Sequence, residues 1–284
     1  MNDLLIIDGH AHTYDDTIAS RVIASFTEYH RMEPTGSIGT GTVQDLLSRM
    51  SKNRIAWTVT ANFAPRKSVE RINAWSLKTA EEHKCFIPLV CVYPDMTSDD
   101  IRRYMAKGAK GIKMHTGIQG FEPYDPGLKD IYEYCERNRI PVTFHCGETS
   151  RVHMNEFSEM SHILPVLEKY PELPAVLTHL AAGEPDVVFQ IAEKYPSVVF
   201  DTSITFSGEH CILRIHNNFW EDDANVVRAF REIGCDRVAY GSDYPLANQE
   251  SDIRRILRLS LTDEEKRMIL GLNSRRLYFS GQET

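Results

Sequence analysis

The sequence has no run of about 18 apolar residues, the length needed to cross a bilayer as a helix, so a membrane-spanning segment is not expected. Basic charge is also scarce. Lys and Arg total 32 against 40 Asp and Glu, a formal net charge of -8, which argues against nucleic acid or an anionic lipid surface as the partner. The six cysteines, Cys85, Cys91, Cys135, Cys146, Cys211 and Cys235, form no Cys-x-x-Cys pair. That excludes zinc-knuckle spacing and favours reduced thiols over a disulfide framework. Residues 1–8 set acidic groups around a short apolar run, whereas a secretory signal needs a basic start and a longer apolar stretch. A cytoplasmic location and a small-molecule substrate are therefore expected, with a homo-oligomer left open. Linkers, low-complexity tracts and repeats are missing too, so residues 1–284 are expected to form one domain.

With 42% apolar and 25% charged residues the chain can fill a full core. Short apolar, β-branched runs alternate with longer amphipathic segments from end to end, the pattern of parallel strands with helices packed outside. Eight such units are counted. The strands are expected at 4–8, 55–61, 86–92, 111–115, 141–145, 175–179, 198–201 and 237–241. The helices are expected at 43–53, 69–84, 99–107, 128–138, 160–170, 186–195, 224–233 and 253–259. Leu128, Ile131, Tyr132 and Cys135, for instance, recur at helical spacing and make one stripe. Gly108, Pro171 and Pro196 follow helix ends, and Thr262 to Glu265 reads as a capping box opening a carboxy-terminal helical extension over 262–284. The fold expected is an α/β (β/α)₈ TIM barrel. Residues 13–41, with Gly36, Gly39 and Gly41, read as a long loop with one helical piece at most, and a loop of that length is expected to act as a lid.

Several strands end in a polar residue that packing does not require. In Ile7-Asp8-Gly9-His10-Ala11-His12, alternation along an extended chain turns Asp8, His10 and His12 to one side. The fifth strand ends in His145, the sixth in His179, and the eighth leads into Asp243. In a parallel barrel the carboxy-terminal strand ends share one face, so these residues converge. Taken singly each could be a hydrogen-bonded strand end or a helix cap; four strands doing so together point to a site. Imidazoles and a carboxylate suit Zn²⁺ and also accept Mn²⁺, Fe²⁺ or Co²⁺. Cys146 beside His145 is read as a packed thiol, since no separate base is assigned to it. Lys113 and His115 share a face of the fourth strand. Asn62, Arg66, Glu148 and Asp201 lie at or beyond strand ends on the same face.

The motifs Ile-Asp-Gly-His-Ala-His at 7–12, Gly-Ala-Lys-Gly-Ile-Lys-Met-His at 108–115, Pro-Val-Thr-Phe-His-Cys-Gly at 141–147, Leu-Thr-His-Leu at 177–180, Tyr-Gly-Ser-Asp-Tyr-Pro at 240–245 and Asn-Ser-Arg-Arg-Leu-Tyr-Phe at 273–279 resemble the amidohydrolase superfamily. The specific group is amidohydrolase-2, which also holds nonoxidative decarboxylases of the aminocarboxymuconate-semialdehyde type. The resemblance implies a distorted (β/α)₈ barrel in which His10, His12, His145 and Asp243 ligate a metal, most simply one Zn²⁺ ion. It gives His179 the position of the family residue that binds a second metal or transfers a proton, and the second role is preferred. Binuclear members place a bridging carboxylated lysine or a glutamate on the fourth strand, so Lys113 could carry a carbamate; an ammonium that neutralises a substrate carboxylate is the simpler assignment. His115, Glu148, Asn62 and Arg66 are further candidates for substrate contact. The expected activity is hydrolysis of a small carboxylate-bearing lactone, ester or amide by metal-activated water, with Asp243 as base and His179 as proton-transfer group. A metal-dependent decarboxylase is the main alternative. A superfamily nuclease and a catalytically silent metal-binding scaffold rank below it.

Overall fold

Eight short runs pair side by side in chain order. A computed structural model describes residues 4–29, 38–147, 156–205 and 218–279. Its strands are β1 (Ile7–Ala11), β2 (Trp57–Thr60), β3 (Phe86–Cys91), β4 (Gly111–Met114), β5 (Val142–Phe144), β6 (Ala175–Leu177), β7 (Val199–Asp201) and β8 (Val238–Ala239). They form one sheet in the order β1 to β8, every neighbouring pair parallel. Backbone bonds from Gly9 N to Tyr240 O and from Asp243 N to His10 O, each 2.8 Å, bring the last strand back to the first. The fold is a (β/α)₈ TIM barrel.

The first strand lies at Ile7–Ala11 rather than at the expected 4–8, and the others are shorter than their apolar runs; His115 and His145 directly follow the last residue of their strand, and His179 comes one residue later. The outer helices match the amphipathic segments closely. The exception is Gln249–Arg258, which starts four residues before the expected Ile253 because the Asn248 side chain caps it by accepting from Glu250 N. The Leu128, Ile131, Tyr132, Cys135 stripe is fully buried. Asp16–Tyr29, inside the expected long loop, is a helix, and no helix among the described residues is long and apolar enough to cross a membrane. Residues 30–37 of the expected lid, residues 280–284 of the expected extension, Glu148 and Cys211 lie outside the described residues.

The bottom of the barrel is closed by the chain's own end. Ile7, Val59, Ile87 and Leu89 cluster with Tyr278, and Val176, Val199 and Ala239 form a second small cluster. Leu277 packs against both, so the helix Asn273–Phe279 seals the interior at the amino-terminal ends of the strands. Polar groups are thereby concentrated at the opposite end.

Candidate metal centre

β1 holds one more residue than its partner: Asp8 pairs with Thr58 and Ala11 with Thr60. An extra residue resets the alternation of side chains, which corrects the expectation that Asp8 shares a face with His10 and His12. The Asp8 carboxylate instead accepts from Ser242 N at 2.9 Å, Ser242 Oγ at 2.6 Å and Gln249 Nε2 at 2.6 Å. Burial outweighs those bonds and pushes its pKa up to about 6. The close approach of β1 to the eighth-strand segment depends on two glycines. A Cβ on Gly9 would stand 2.8 Å from Tyr240 O, and one on Gly241 would stand 2.9 Å from His10 Cβ.

At the carboxy-terminal strand ends five imidazoles and one phenyl ring make a closed circuit. Ring centroids are 5.0 Å apart for His12 and His10, 5.5 Å for His10 and His179, and 4.9 Å for His179 and His145. The circuit continues at 3.7 Å from His145 to His115, 4.5 Å from His115 to Phe63 and 5.4 Å from Phe63 back to His12. One of its members, His179, and the neighbouring Asp243 depend on unusual backbone. His179 to Ala182 run through φ values of 58, 47, 50 and 72°, and Asp243 has φ 60°. Left-handed conformation costs non-glycine residues about 1–2 kcal/mol each, so the surroundings must hold it. His179 N is held by Asp201 Oδ1 at 3.1 Å, its carbonyl accepts from Thr205 Oγ1 at 2.7 Å, and Asp243 N is held by the His10 carbonyl.

One ligand atom each from His10, His12 and Asp243 lies within 4.8 Å of the others. Asp243 Oδ1 is 3.0 Å from His12 Nε2 and 3.5 Å from His10 Nε2, yet it accepts no hydrogen bond, and the buried Nδ1 atoms of His12 and His115 have no hydrogen-bond partner either. Buried polar atoms are ordinarily satisfied. The Asp243 carboxylate oxygen and the Nε2 atoms of His12 and His10 that face it are the donor set of a divalent cation, so the residues fit such an ion. His145 stands outside that set. Its ring stacks on His115, and its Nδ1 is 3.2 Å from His179 Nε2.

Lys113 is fully buried with Nζ 3.4 Å from His10 Nε2. Burial lowers its pKa, and the carboxylates of Asp201 and Asp243 offset this only in part. Burial and the Lys113 ammonium likewise bring His10 down to about 4 despite the Asp201 carboxylate. Burial also lowers His179 and His115, so these rings are neutral near pH 7. Burial alone would raise Asp243, but His12, His10 and His179 hold it far below the usual carboxylate range. Asp201 behaves the same way: burial opposes ionisation, and His10, His179 and Ser203 bring it to about 2.

Two expected substrate contacts are spent elsewhere. Asn62 accepts from Thr13 N at 2.8 Å and donates to Thr13 Oγ1 and Ser76 Oγ, which ties the start of the segment after β1 to the helix Val69–Glu82. Arg66 grips Asp95 with Nε and Nη2 at 2.9 and 2.7 Å on the surface. Cys146 is buried with its thiol pushed up to about 12 by burial, as a packed residue should be. Phe63 and Ser203 carried no signal in the sequence. Asp201 did, since it ends the apolar run Val-Val-Phe-Asp as the histidines end theirs.

The family model described as amidohydrolase matches residues 7–279. No curated protein matches the chain. Among solved structures it is similar to an uncharacterised TIM-barrel protein of Bordetella bronchiseptica, with 19% identity, 96% of this chain and 98% of that one covered and a TM-score of 0.76. It is similar also to a 5-carboxyvanillate decarboxylase of Novosphingobium aromaticivorans with bound manganese, at 14% identity, 97% coverage of both chains and a TM-score of 0.71. A probable 2-pyrone-4,6-dicarboxylic acid hydrolase of Acinetobacter baumannii with citric acid bound matches at 18% identity, with 96% of this chain and 99% of that one covered and a TM-score of 0.66.

Proposed function

The chain belongs to the amidohydrolase family, and from that premise we propose that it is a metal-dependent hydrolase of a small carboxylate-bearing lactone, ester or amide. The observation that carries the proposal is the buried Asp243 carboxylate, whose Oδ1 stands beside two histidines and accepts no hydrogen bond. His10, His12, His145 and Asp243 would hold one divalent ion, Zn²⁺ by donor preference or Mn²⁺ as in the manganese-bound neighbour. Such an ion polarises a carbonyl oxygen and acidifies water when bound.

The protein's own groups do the rest. Asp243, ionised and with an oxygen to spare, accepts the proton of the attacking water. The neutral His179 ring takes up that proton at Nε2 and returns it to the leaving group. Lys113 and His115 receive the substrate carboxylate, and Phe63 offers a flat apolar wall between His12 and His115. Lys113 acts here as an ammonium, leaving one ion per chain.

A second reading, nonoxidative decarboxylation, is favoured by the solved structures, which include 5-carboxyvanillate and 2,6-dihydroxybenzoate decarboxylases. Fold likeness does not separate the two because the same barrel hosts both chemistries. The test is a panel of lactones, esters, amides and aromatic carboxylic acids assayed in ¹⁸O-water for acid release and carbon dioxide release. Label in the product with no carbon dioxide is the expected result. Carbon dioxide without label would replace hydrolysis by decarboxylation.

A further inference from the structure

One carboxylate next to the ligand strand takes no part in the donor set and is nevertheless fully engaged. Asp8, buried on β1, accepts with Oδ1 from His10 N at 3.2 Å and from Ser242 N at 2.9 Å. With Oδ2 it accepts from Ser242 Oγ and Gln249 Nε2, each at 2.6 Å. It thereby joins β1, the segment after β8 and the first residue of the helix Gln249–Arg258.

Backbone pairing alone leaves a gap at this closure. Gly9 and His10 are consecutive on β1, but the residues bonded to them, Tyr240 and Asp243, have Gly241 and Ser242 between them. The backbone bonds hold the two ends of that excursion, whereas side chains hold its interior. Gly241 N donates to Thr202 Oγ1 at 3.3 Å, and Ser242 N has no acceptor among the described residues other than Asp8. The next residue is the ligand Asp243, whose φ of 60° is unfavourable for a residue with a side chain, so its setting depends on what grips it on either side. Ser242 grips both sides. Its N–H is fixed by Asp8 before Asp243, and its Oγ, which donates to Asp8, accepts from Tyr244 N at 2.9 Å beyond Asp243. The Tyr244 carbonyl in turn accepts from His12 N at 2.7 Å.

We propose that Asp8 is a positioning residue: acting through Ser242, its carboxyl group brackets Asp243 and sets the distance of that ligand from His10 and His12. The word ligand rests on the divalent-metal site proposed above; the bracket does not. The role requires a placed acceptor rather than a charge, which makes Asn a rescuing replacement. An Asn side chain keeps an oxygen toward His10 N and Ser242 N, and its amide nitrogen can donate to Ser242 Oγ, whose own proton can pass to the His10 carbonyl at 3.3 Å. Gln249 Oε1, buried with no hydrogen-bond partner, becomes an acceptor for the same nitrogen when the Gln249 amide turns over. Ala offers none of these bonds.

The test compares wild type, Asp8→Asn and Asp8→Ala as full chains. Competition with a fluorescent chelator gives the Zn²⁺ affinity at a temperature where each variant is folded, and amide exchange followed by NMR in chelator reports the bracket without metal. Asp8→Ala is expected to lose about 10- to 100-fold in Zn²⁺ affinity, the usual effect of removing a group that holds ligands in place, and Asp8→Asn to stay close to wild type. The chelated wild-type protein is expected to show slow exchange at His10, Ser242 and Asp243. In Asp8→Ala exchange should quicken at Ser242 and Asp243, but not at Val142, whose N–H is bonded to Pro174 O. Wild-type affinity in folded Asp8→Ala would overturn the proposal, because the residue would then serve stability alone. An equal loss in Asp8→Asn would overturn it too, by showing that the charge and not the acceptor matters. Fast exchange of Ser242 N–H in the wild-type protein would overturn it with no variant needed. If exchange behaves as expected and wild type binds neither Zn²⁺ nor Mn²⁺, the metal assignment fails while the bracket stands.

Discussion

Replacing Lys113 by Met should stabilise the protein and weaken it as a catalyst. The Lys113 side chain is fully buried, and its lowered pKa means that desolvation outweighs the attraction of Asp201 and Asp243. Met fills a similar volume without a charge. Exchanging a whole buried ion pair or triad for apolar groups of like size is commonly worth ~1–4 kcal/mol, which sets the upper bound for removing this one cation. With an unfolding entropy of ~2.1 cal/mol/K per residue, a chain of 284 residues gains at most roughly 2–7 °C in Tm from that amount. The gain should depend on pH with a definite sign. Between the depressed pKa and the ordinary value of 10.5, the unfolded chain binds a proton that the folded chain lacks, so wild-type stability rises with pH across that window. The Met variant has no such term, and its advantage should shrink as pH approaches 10.5. Calorimetry of both proteins in chelator at a series of pH values measures this. On a carboxylate-bearing substrate the variant should lose about 10- to 100-fold in kcat/KM, the worth of a charged hydrogen bond of ~1.5–3 kcal/mol. A lower Tm for the variant near pH 7 would refute the reasoning, because it would mean that the ammonium is a net stabilising partner of the two carboxylates.

Three further outcomes are expected. Elemental analysis should find about one divalent ion per chain, as expected for a single set of four ligands; His12→Ala and Asp243→Asn should lose it, and His179→Ala should keep the ion while losing turnover. Gly9→Ala forces a Cβ to 2.8 Å from the Tyr240 carbonyl, so urea denaturation should show a loss of roughly 1–3 kcal/mol, the usual cost of overpacking, with a smaller effect counting against close contact between β1 and the eighth-strand segment. Cys146, buried with its pKa pushed up to about 12, should resist a thiol reagent at pH 8 until the chain is unfolded; mass spectrometry of the labelled peptide decides, and rapid native labelling would show the thiol to be accessible.

The eight strands were legible because a parallel strand is covered on both faces and reads as an unbroken apolar run. The same property made His145, His179 and Asp243 conspicuous, since a polar residue ending such a run has no packing reason to be there. Features that depend on contacts distant in the chain were not legible. The extra residue in β1 is local, yet its effect of turning Asp8 toward Ser242 and Gln249 follows from the closure against residues some 230 positions later. Asn62 and Arg66 follow the second strand, but Thr13, Ser76 and Asp95 occupy them, and no local pattern announces such partners. The left-handed turn at His179 to Ala182 contains no glycine to advertise it.

The division is sharpest at the metal centre itself. A ligand is recognisable by its kind, because few side chains bind a cation and each stands out at a strand end. Whether the ligand's nitrogen is bare or protonated is decided by its other partner, and Ser203 or Asp201 taken alone is an ordinary polar residue. Only the contacts that join the Asp201 carboxylate, Ser203, His179 and His145 make those residues one system. The residues that name the chemistry can therefore be read in one dimension, whereas those that make it operate are defined by their contacts in three.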